Sequence, residues 1–306
     1  MDGPFHRGEL IAQVLAGTGT PGFTGIRPFM PDQHRDFFAL LPYLFIATTD
    51  AEGWPVATVL TGQPGFIRSP DPTTLTVAAL PRAGEPGAEL FAAGRPFGAL
   101  GLDFATHRRN RVNGLIAGAG EGGLTLEVLQ SFGNCPQYIQ TRAVEAGPAS
   151  TTPAEVIAFP TAEALAQIAR ADTMFVATNA GPEKSGGENG GVDISHRGGL
   201  PGFVKVAGNV LTIPDFRGNR FFNTLGNLVL DPRAGLLFVD FETGDLLHLQ
   251  GRVEIDWTPT DDDLIQRQWR LTVEHAWRRP AALPLRWTFG AYSPVTLNTA
   301  AWNAAA

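Results

Sequence analysis

This chain repeats itself, and no other feature constrains its fold as much. Phe45-Ile46-Ala47-Thr48 reads like Phe175-Val176-Ala177-Thr178, and Pro64-Gly65-Phe66-Ile67 like Pro201-Gly202-Phe203-Val204. Leu75-Thr76-Val77 matches Leu211-Thr212-Ile213, Asp103-Phe104 matches Asp240-Phe241, and Asn113-Gly114 aligns with Gln250-Gly251. The offset is 130 positions at Phe45 and 137 at both Gly65 and Gly114, and one insertion in the polar stretch Pro182 to Gly191 accounts for the change. A single tetrapeptide match arises by chance; five in order at a nearly constant offset do not. The chain therefore builds one unit twice, over 1–146 and 154–306, joined by a small-residue linker between Ala146 and Pro153.

The repeated segments read as strands. Leu44 to Thr48 is a short β-rich run that ends at the turn Thr49-Asp50-Ala51-Glu52-Gly53, and Gly235 to Phe241 follows the breaker Asp231-Pro232-Arg233. After the turn Glu242-Thr243-Gly244-Asp245 comes another strand, Leu246 to Leu249. The 36 glycines and 24 prolines have no short period, so they mark turns between short strands. Helices are fewer. Pro31 to Leu41 and Thr161 to Ala171 precede the two repeats, and Asn219 to Leu230 carries Phe221, Phe222, Leu225, Leu228 and Val229 at three-and-four spacing. Thr258 to Trp277 reads as a fourth helix from its Thr-Pro-Thr-Asp start and from Leu264, Trp269 and Val273.

Two stretches of the second half carry a family resemblance. Asp193-Ile194-Ser195-His196-Arg197-Gly198-Gly199 and Pro214-Asp215-Phe216-Arg217-Gly218-Asn219-Arg220 are followed by a helix that ends at Asp231-Pro232 before another apolar strand. This order resembles the pyridoxamine 5'-phosphate oxidase-like FMN-binding family, and Gln130 to Gln140 resembles a signature of its longer, duplicated members. The resemblance covers roughly Pro31 to Trp257. It implies a mainly β (α+β) fold of two tandem split β-barrels with short flanking helices, FMN as cofactor, and an oxidoreductase of unknown substrate. It further implies that the first repeat acts as a built-in partner, with flavin in the groove between repeats. Alternatives are a flavin-binding carrier or sensor without turnover, or the same fold holding a deazaflavin or a haem.

The site residues follow from the resemblance and from charge. A phosphate dianion needs several donors, and arginine forks beside a helix N-terminus supply them. Arg197, Asn219 and Arg220 take the phosphate first, with Ser195, His196 and Arg217 converging on the same end. Thr224 and Asn227, at helical spacing from Arg220, would reach the ribityl chain or the ring edge. The first repeat has Thr58-Val59-Leu60 in place of Ser195-His196-Arg197, and Pro81-Arg82-Ala83-Gly84 in place of the Arg-Gly-Asn-Arg loop, so its own phosphate site is degenerate. It would instead turn Arg108-Arg109-Asn110-Arg111 and Gln130 to Gln140 towards the flavin. No residue stands out as a catalytic acid or base.

Other chemistry finds little support. His6, His34, His107, His196, His248 and His275 show no metal-ligand spacing, and no P-loop or Gly-x-Ser-x-Gly is present. The glycine run Ala117 to Gly123 precedes a strand-like segment, which fits a hairpin rather than a dinucleotide loop. Arg286-Trp287 alone stands for the Arg- and Trp-containing segment that holds substrate in the true oxidase. Cys135 reads as a packed small residue, and the tryptophans, among them Trp257, Trp269, Trp277 and Trp287, as packing. A net charge of -7 with interspersed signs argues against nucleic acid, and the absence of a signal or a long apolar run predicts a cytoplasmic protein away from the membrane. The expected partners are a small-molecule substrate or electron donor, and the fold admits a homodimer.

Overall fold

The computed structural model describes residues 3–22, 25–185, 189–260 and 263–304. Helices α1 (Arg7–Leu15) and α2 (Asp32–Leu40) lead into the first half. Its strands are β1 (Tyr43–Thr49), β2 (Pro55–Thr61), β3 (Ile67–Asp71), β4 (Thr74–Val77), β5 (Pro96–Asp103), β6 (Arg108–Gly120) and β7 (Gly123–Gly133). Between the halves lie β8 (Arg142–Ala146), β9 (Glu155–Val156) and helix α3 (Ala162–Arg170). The second half begins with β10 (Thr173–Ala180), helix α4 (Pro182–Ser185), β11 (Gly191–Gly198), β12 (Lys205–Ala207) and β13 (Val210–Phe216). Helix α5 (Asn223–Leu230), β14 (Arg233–Val239), β15 (Leu246–Asp256), β16 (Ile265–Arg279) and β17 (Leu285–Phe289) follow, then helices α6 (Pro294–Leu297) and α7 (Ala300–Ala304).

The two sheets have one topology. The first runs β2-β1-β5-β6-β7-β4-β3 and the second β11-β10-β14-β15-β16-β13-β12, strand for strand the same order. Even their irregularities repeat: β6 bulges between Asn113 and Gly114, and β15 between Gln250 and Gly251. A side chain at Gly114 would run into the Glu127 carbonyl at 1.9 Å, and one at Gly251 into that of Thr272 at 2.1 Å. The insertion offset falls on α4, with residues 186–188 outside the described part.

Two expectations need correction. Neither sheet closes into a barrel, so the fold is two open, similarly built antiparallel sheets rather than split β-barrels. Among the described residues, edge strands β2 and β3 do not pair, nor do β11 and β12. Closure needs the two edges to meet in register, and β12 is only three residues long. The helix expected over Thr258 to Trp277 is instead β16, the longest strand. Ile265, Arg267, Trp269, Leu271 and Val273 are buried in strict alternation, a period of two that overrides the helical spacing of Leu264, Trp269 and Val273.

Strands β1, β2, β5, β10 and β14 are buried on both faces, which explains their near-continuous apolar sequence, whereas β7 and β16 alternate. In β1, Leu44 and Ile46 face a core inside the first half, while Tyr43, Phe45 and Ala47 face a second core between the halves. In β10, Met174 and Val176 face the second half's own core, and Phe175 and Ala177 face the shared one. The repeat-equivalent rings of Phe45 and Phe175 stack at 3.7 Å between centroids, marking a pseudo-two-fold axis. The halves touch at backbone distance on either side of it. A side chain on Gly98 would meet the Val192 carbonyl at 2.4 Å, and one on its counterpart Gly235 the Pro55 carbonyl at 2.3 Å. Other segments cross between halves: β8 pairs with β17, and α1 lies on α5 with Gly8 against the Gly226 carbonyl.

Candidate functional site

A cavity of about 130 Å³ opens where the end of β11 meets the loop after β7 and the loop between β13 and α5. Strand alternation decides what β11 offers. Arg197 stands opposite Met174 on the face of the second half's core, and His196 stands opposite Phe175 on the face turned to the first half. Gly198, the last residue of the strand, leaves no room for a side chain, because the Tyr138 carbonyl lies 2.0 Å from where its Cβ would be. Tyr138 is held there in a left-handed conformation (φ 63°), stacked on Phe216 and donating its hydroxyl to the Arg217 carbonyl at 2.9 Å. Burial pushes the Tyr138 phenol up to about 12, so it stays a neutral donor.

Helix α5 starts at Asn223, four residues later than its apolar spacing suggests. Arg220 and Phe222 are left-handed (φ 61° and 62°), and Asn219 accepts a hydrogen bond from the Phe221 amide at 3.1 Å, so this stretch is a turn. No side chain caps the helix, and its first residues Asn223, Thr224 and Leu225 line the cavity with their partial positive end. Arg217, Gly218, Asn219 and Arg220 form an exposed rim above it.

Ser195, His196, Arg197, Arg217, Asn219, Arg220 and Thr224 thus come together around one cavity. Asn227 does not reach it. It is fully buried one turn below, donating to Thr178 and Asp193 at 3.1 and 3.0 Å. The first half supplies Arg109, Arg111, Asn134, Cys135, Gln137 and Tyr138 to the same cavity. Arg108 instead packs over the Phe37 ring, and Asn110 lies in the β6–β7 ladder. Arg111 donates to Asp193 at 3.1 Å and to Ser195 at 2.7 Å, and Ser195 also accepts from Thr224 at 2.9 Å.

The charges are unbalanced. Arg197 donates to Asp215 at 2.7 Å, and Arg267 lies 3.3 Å from the other carboxylate oxygen. Among the described residues Arg109 has no acidic partner; its Nη1 is 3.3 Å from His196 Nδ1. Burial, reinforced by Arg111 and Arg197, pulls Arg109 down to about 10, which leaves it cationic at neutral pH. Burial also holds His196 well below its ordinary value, with Arg109, Arg142 and Arg197 adding to the effect, so its ring is neutral. Buried polar atoms without a partner gather here: Nε of Arg109, Arg111 and Arg197, and Nε2 of His196. Unpartnered donors beside a cavity suit an anionic or acceptor-rich ligand.

Sequence reasoning missed Arg267, hidden by the helical reading of β16, and Asp215, which lay inside a quoted motif but was given no role. It also missed Thr18, which lines the cavity from the segment after α1. Among the described residues no cluster of metal-ligating side chains occurs, and no helix is long and apolar enough to cross a membrane.

No family model matches the chain, and no curated protein matches it in sequence. Among solved structures it is similar to a Clostridium acetobutylicum protein related to general stress protein 26 of B. subtilis, of the pyridoxinephosphate oxidase family. That similarity has 18% identity and a TM-score of 0.29, covering 42% of this chain and 92% of that one. It is also similar to a candidate 5-nitroimidazole antibiotic resistance protein from Bacteroides thetaiotaomicron, at 10% identity and a TM-score of 0.27, over 44% and 90% of the two chains. The likeness to the pyridoxamine 5'-phosphate oxidase-like fold family is remote, and it comes with an internally duplicated pair of sheets.

Proposed function

We propose that this cavity holds the phosphate end of FMN and that the chain is an FMN-dependent oxidoreductase. One observation carries the reading: guanidinium groups from both halves, several with sealed and unpartnered N–H, surround an uncapped helix N-terminus. That donor set suits a phosphate dianion. The first turn of α5, Arg197, Asn219 and Arg220 would hold the phosphate, with Arg217 on the rim and Ser195 and Thr224 beside it. Asn227 acts from below by fixing Asp193, which in turn orients Arg111. The enclosed volume of about 130 Å³ is below the roughly 300 Å³ at which drug-sized ligands are usually held, so only the anionic end is enclosed and the rest of the cofactor uses the open side.

Bound flavin supplies the hydride or electron chemistry, and the protein supplies position and polarity. A flavin-binding carrier or sensor without turnover is the second reading. It is favoured by Asp215, the carboxylate that lines the cavity among the described residues, whose two oxygens are engaged by Arg197 and Arg267. The test is the visible spectrum and released chromophore of wild type and Arg220→Ala. Yellow wild type with stoichiometric FMN, and a variant at least tenfold weaker, is the expected result; one lost charge-assisted hydrogen bond corresponds to about that factor. Colourless wild type that takes up no FMN would overturn the flavin reading. Bleaching of bound FMN by reduced nicotinamide selects the enzyme, and inert FMN the carrier.

A further inference from the structure

We propose that residues 3–20 form a strap over the start of α5, with Glu9 as its catch: docked while the Glu9 carboxyl is neutral, loosened when it ionises. The strap closes one side of the anion cavity and so regulates it; this deepens the flavin reading and rests on it for what the cavity holds. Helix α1 lies along α5, whose first residues Asn223, Thr224 and Leu225 line the cavity, and Thr18 from the turn after α1 lines it too. The crossing is backbone to backbone. A side chain on Gly8 would meet the Gly226 carbonyl at 2.2 Å, and one on Gly226 the Glu9 Cα at 2.7 Å. So close an approach leaves little apolar side chain to hold the strap: Phe5 and Ala12 are buried, while Val14 and Leu15 are 76% and 48% exposed. Polar contacts therefore matter to docking. The Asn189 side chain donates to the Gly3 carbonyl at 2.7 Å, and the Asn223 side chain donates to Glu9.

Glu9 suits a catch because its carboxyl is buried where an ion finds no counter-charge of its own. One oxygen accepts from the His6 amide at 2.9 Å and the other from Asn223. The charged groups that face it are Asp193 of β11, which repels an anion, and Arg111 of β6, which is already bonded to Asp193 and Ser195. Helix α5 presents the neutral amide of Asn223, and the His6 ring, 3.7 Å away, is held neutral by burial. Ionisation would therefore strand a buried carboxylate, which undocking returns to water. Burial, with Asp193 adding to it, raises the docked group from 4.5 to about 8. Docking is thus at full strength below 4.5 and weakens about tenfold per pH unit until about 8.

The experiment is limited trypsin cleavage of the full-length protein after Arg7, followed by mass spectrometry from about pH 6 to about pH 9, with and without sodium sulfate. Arg7 opens α1 and Gly8 is buried against α5, so this bond is cut from the undocked strap. Sulfate stays a dianion over the range and probes the cavity. Dividing the wild-type rate by that of Glu9→Gln at each pH removes the pH dependence of trypsin itself. The ratio should rise about tenfold per pH unit and level off near 8. Sulfate should slow wild-type cleavage severalfold and leave Arg220→Ala unaffected. If Glu9→Gln does not fold, Gly226→Ala serves as the divisor, since its methyl group unseats Glu9 and should expose the bond at every pH. A flat ratio would overturn the catch, and equal cleavage with and without sulfate would overturn its link to the cavity. A protein that takes no FMN yet shows both effects loses the flavin reading and keeps the strap.

Discussion

The two halves carry the same strands to equivalent places, yet one place is open and the other is shut. Register fixes the correspondence. Thr58, Val59 and Leu60 stand opposite Ile46, Phe45 and Leu44 as Ser195, His196 and Arg197 stand opposite Val176, Phe175 and Met174. Across the axis, Leu246 and His248, opposite Val239 and Leu237, replace Arg109 and Arg111, opposite Leu102 and Leu100. Helix α5 is matched by a three-residue 3-10 turn, Ala88–Leu90. At the shut place the chain provides its own anion. The buried Glu85 carboxylate accepts from Thr58 at 2.8 Å and from Arg279 at 2.6 Å. The open place has carboxylates too, Asp193 on Arg111 and Asp215 on Arg197 and Arg267, but among the described residues none on Arg109. Gene duplication gives two equal pockets; here one is satisfied from within, and the other keeps donors that only a ligand can meet.

The strongest way to break this contrast is to remove the internal anion. Arg279 is 1% exposed, so Glu85→Gln leaves a buried guanidinium without its counter-charge. Breaking a buried pair from one side costs about 3–5 kcal/mol. Denaturant unfolding should show that loss, and the FMN uptake proposed for the other place should not differ from wild type. A loss below about 1 kcal/mol, the range of an exposed ion pair, would mean that Glu85 is not the closing anion.

A smaller effect tests whether the halves are packed equivalently. Gly98→Ala and Gly235→Ala each push a methyl group into a carbonyl of the opposite half. Overpacking of this kind costs about 1–3 kcal/mol, and a true pseudo-two-fold predicts similar losses in the two variants by the same unfolding measurement. One tolerated and one damaging substitution would show that the axis relates strand order but not packing.

Much of this contrast was legible in the sequence. The tetrapeptide matches gave the duplication, and the Thr58-Val59-Leu60 alignment proved to be the register that the strands adopt. Sheet closure was not legible, because it depends on whether edges meet in space and not on local pattern. Trp269 fitted a helical spacing and a strand alternation equally well, and only the partners of β16 decide between them. Arg109 was visible as part of a cluster. That it faces the cavity while Arg108 does not follows from the pairing of β6 with β5. The role of the N-terminal helix was illegible for a simpler reason: its contact with α5 joins residues more than two hundred positions apart.

That helix brings a second buried carboxyl, and its contrast with Glu85 gives the smallest and sharpest prediction. Glu9 is 3% exposed, accepts from the His6 amide at 2.9 Å and from the Asn223 side chain, lies 3.7 Å from the His6 ring, and has no arginine or lysine partner among the described residues. The Gly8–Gly226 crossing holds it at the start of α5. Burial, with Asp193 adding to it, raises its pKa from 4.5 to about 8. The folded state therefore keeps a proton that the unfolded chain releases. The resulting stabilisation is complete below 4.5 and is lost as pH rises through about 8. Glutamine copies the neutral acid, so below pH 4.5, where Glu9 is protonated in both states, Glu9→Gln should change stability by about 1 kcal/mol or less, the value of one ordinary hydrogen bond. It should also flatten the fall in unfolding midpoint between 4.5 and 8. If Glu9→Gln costs as much as Glu85→Gln, Glu9 is ionised and paired, and a further carboxylate joins Asp193 and Asp215 at the open place.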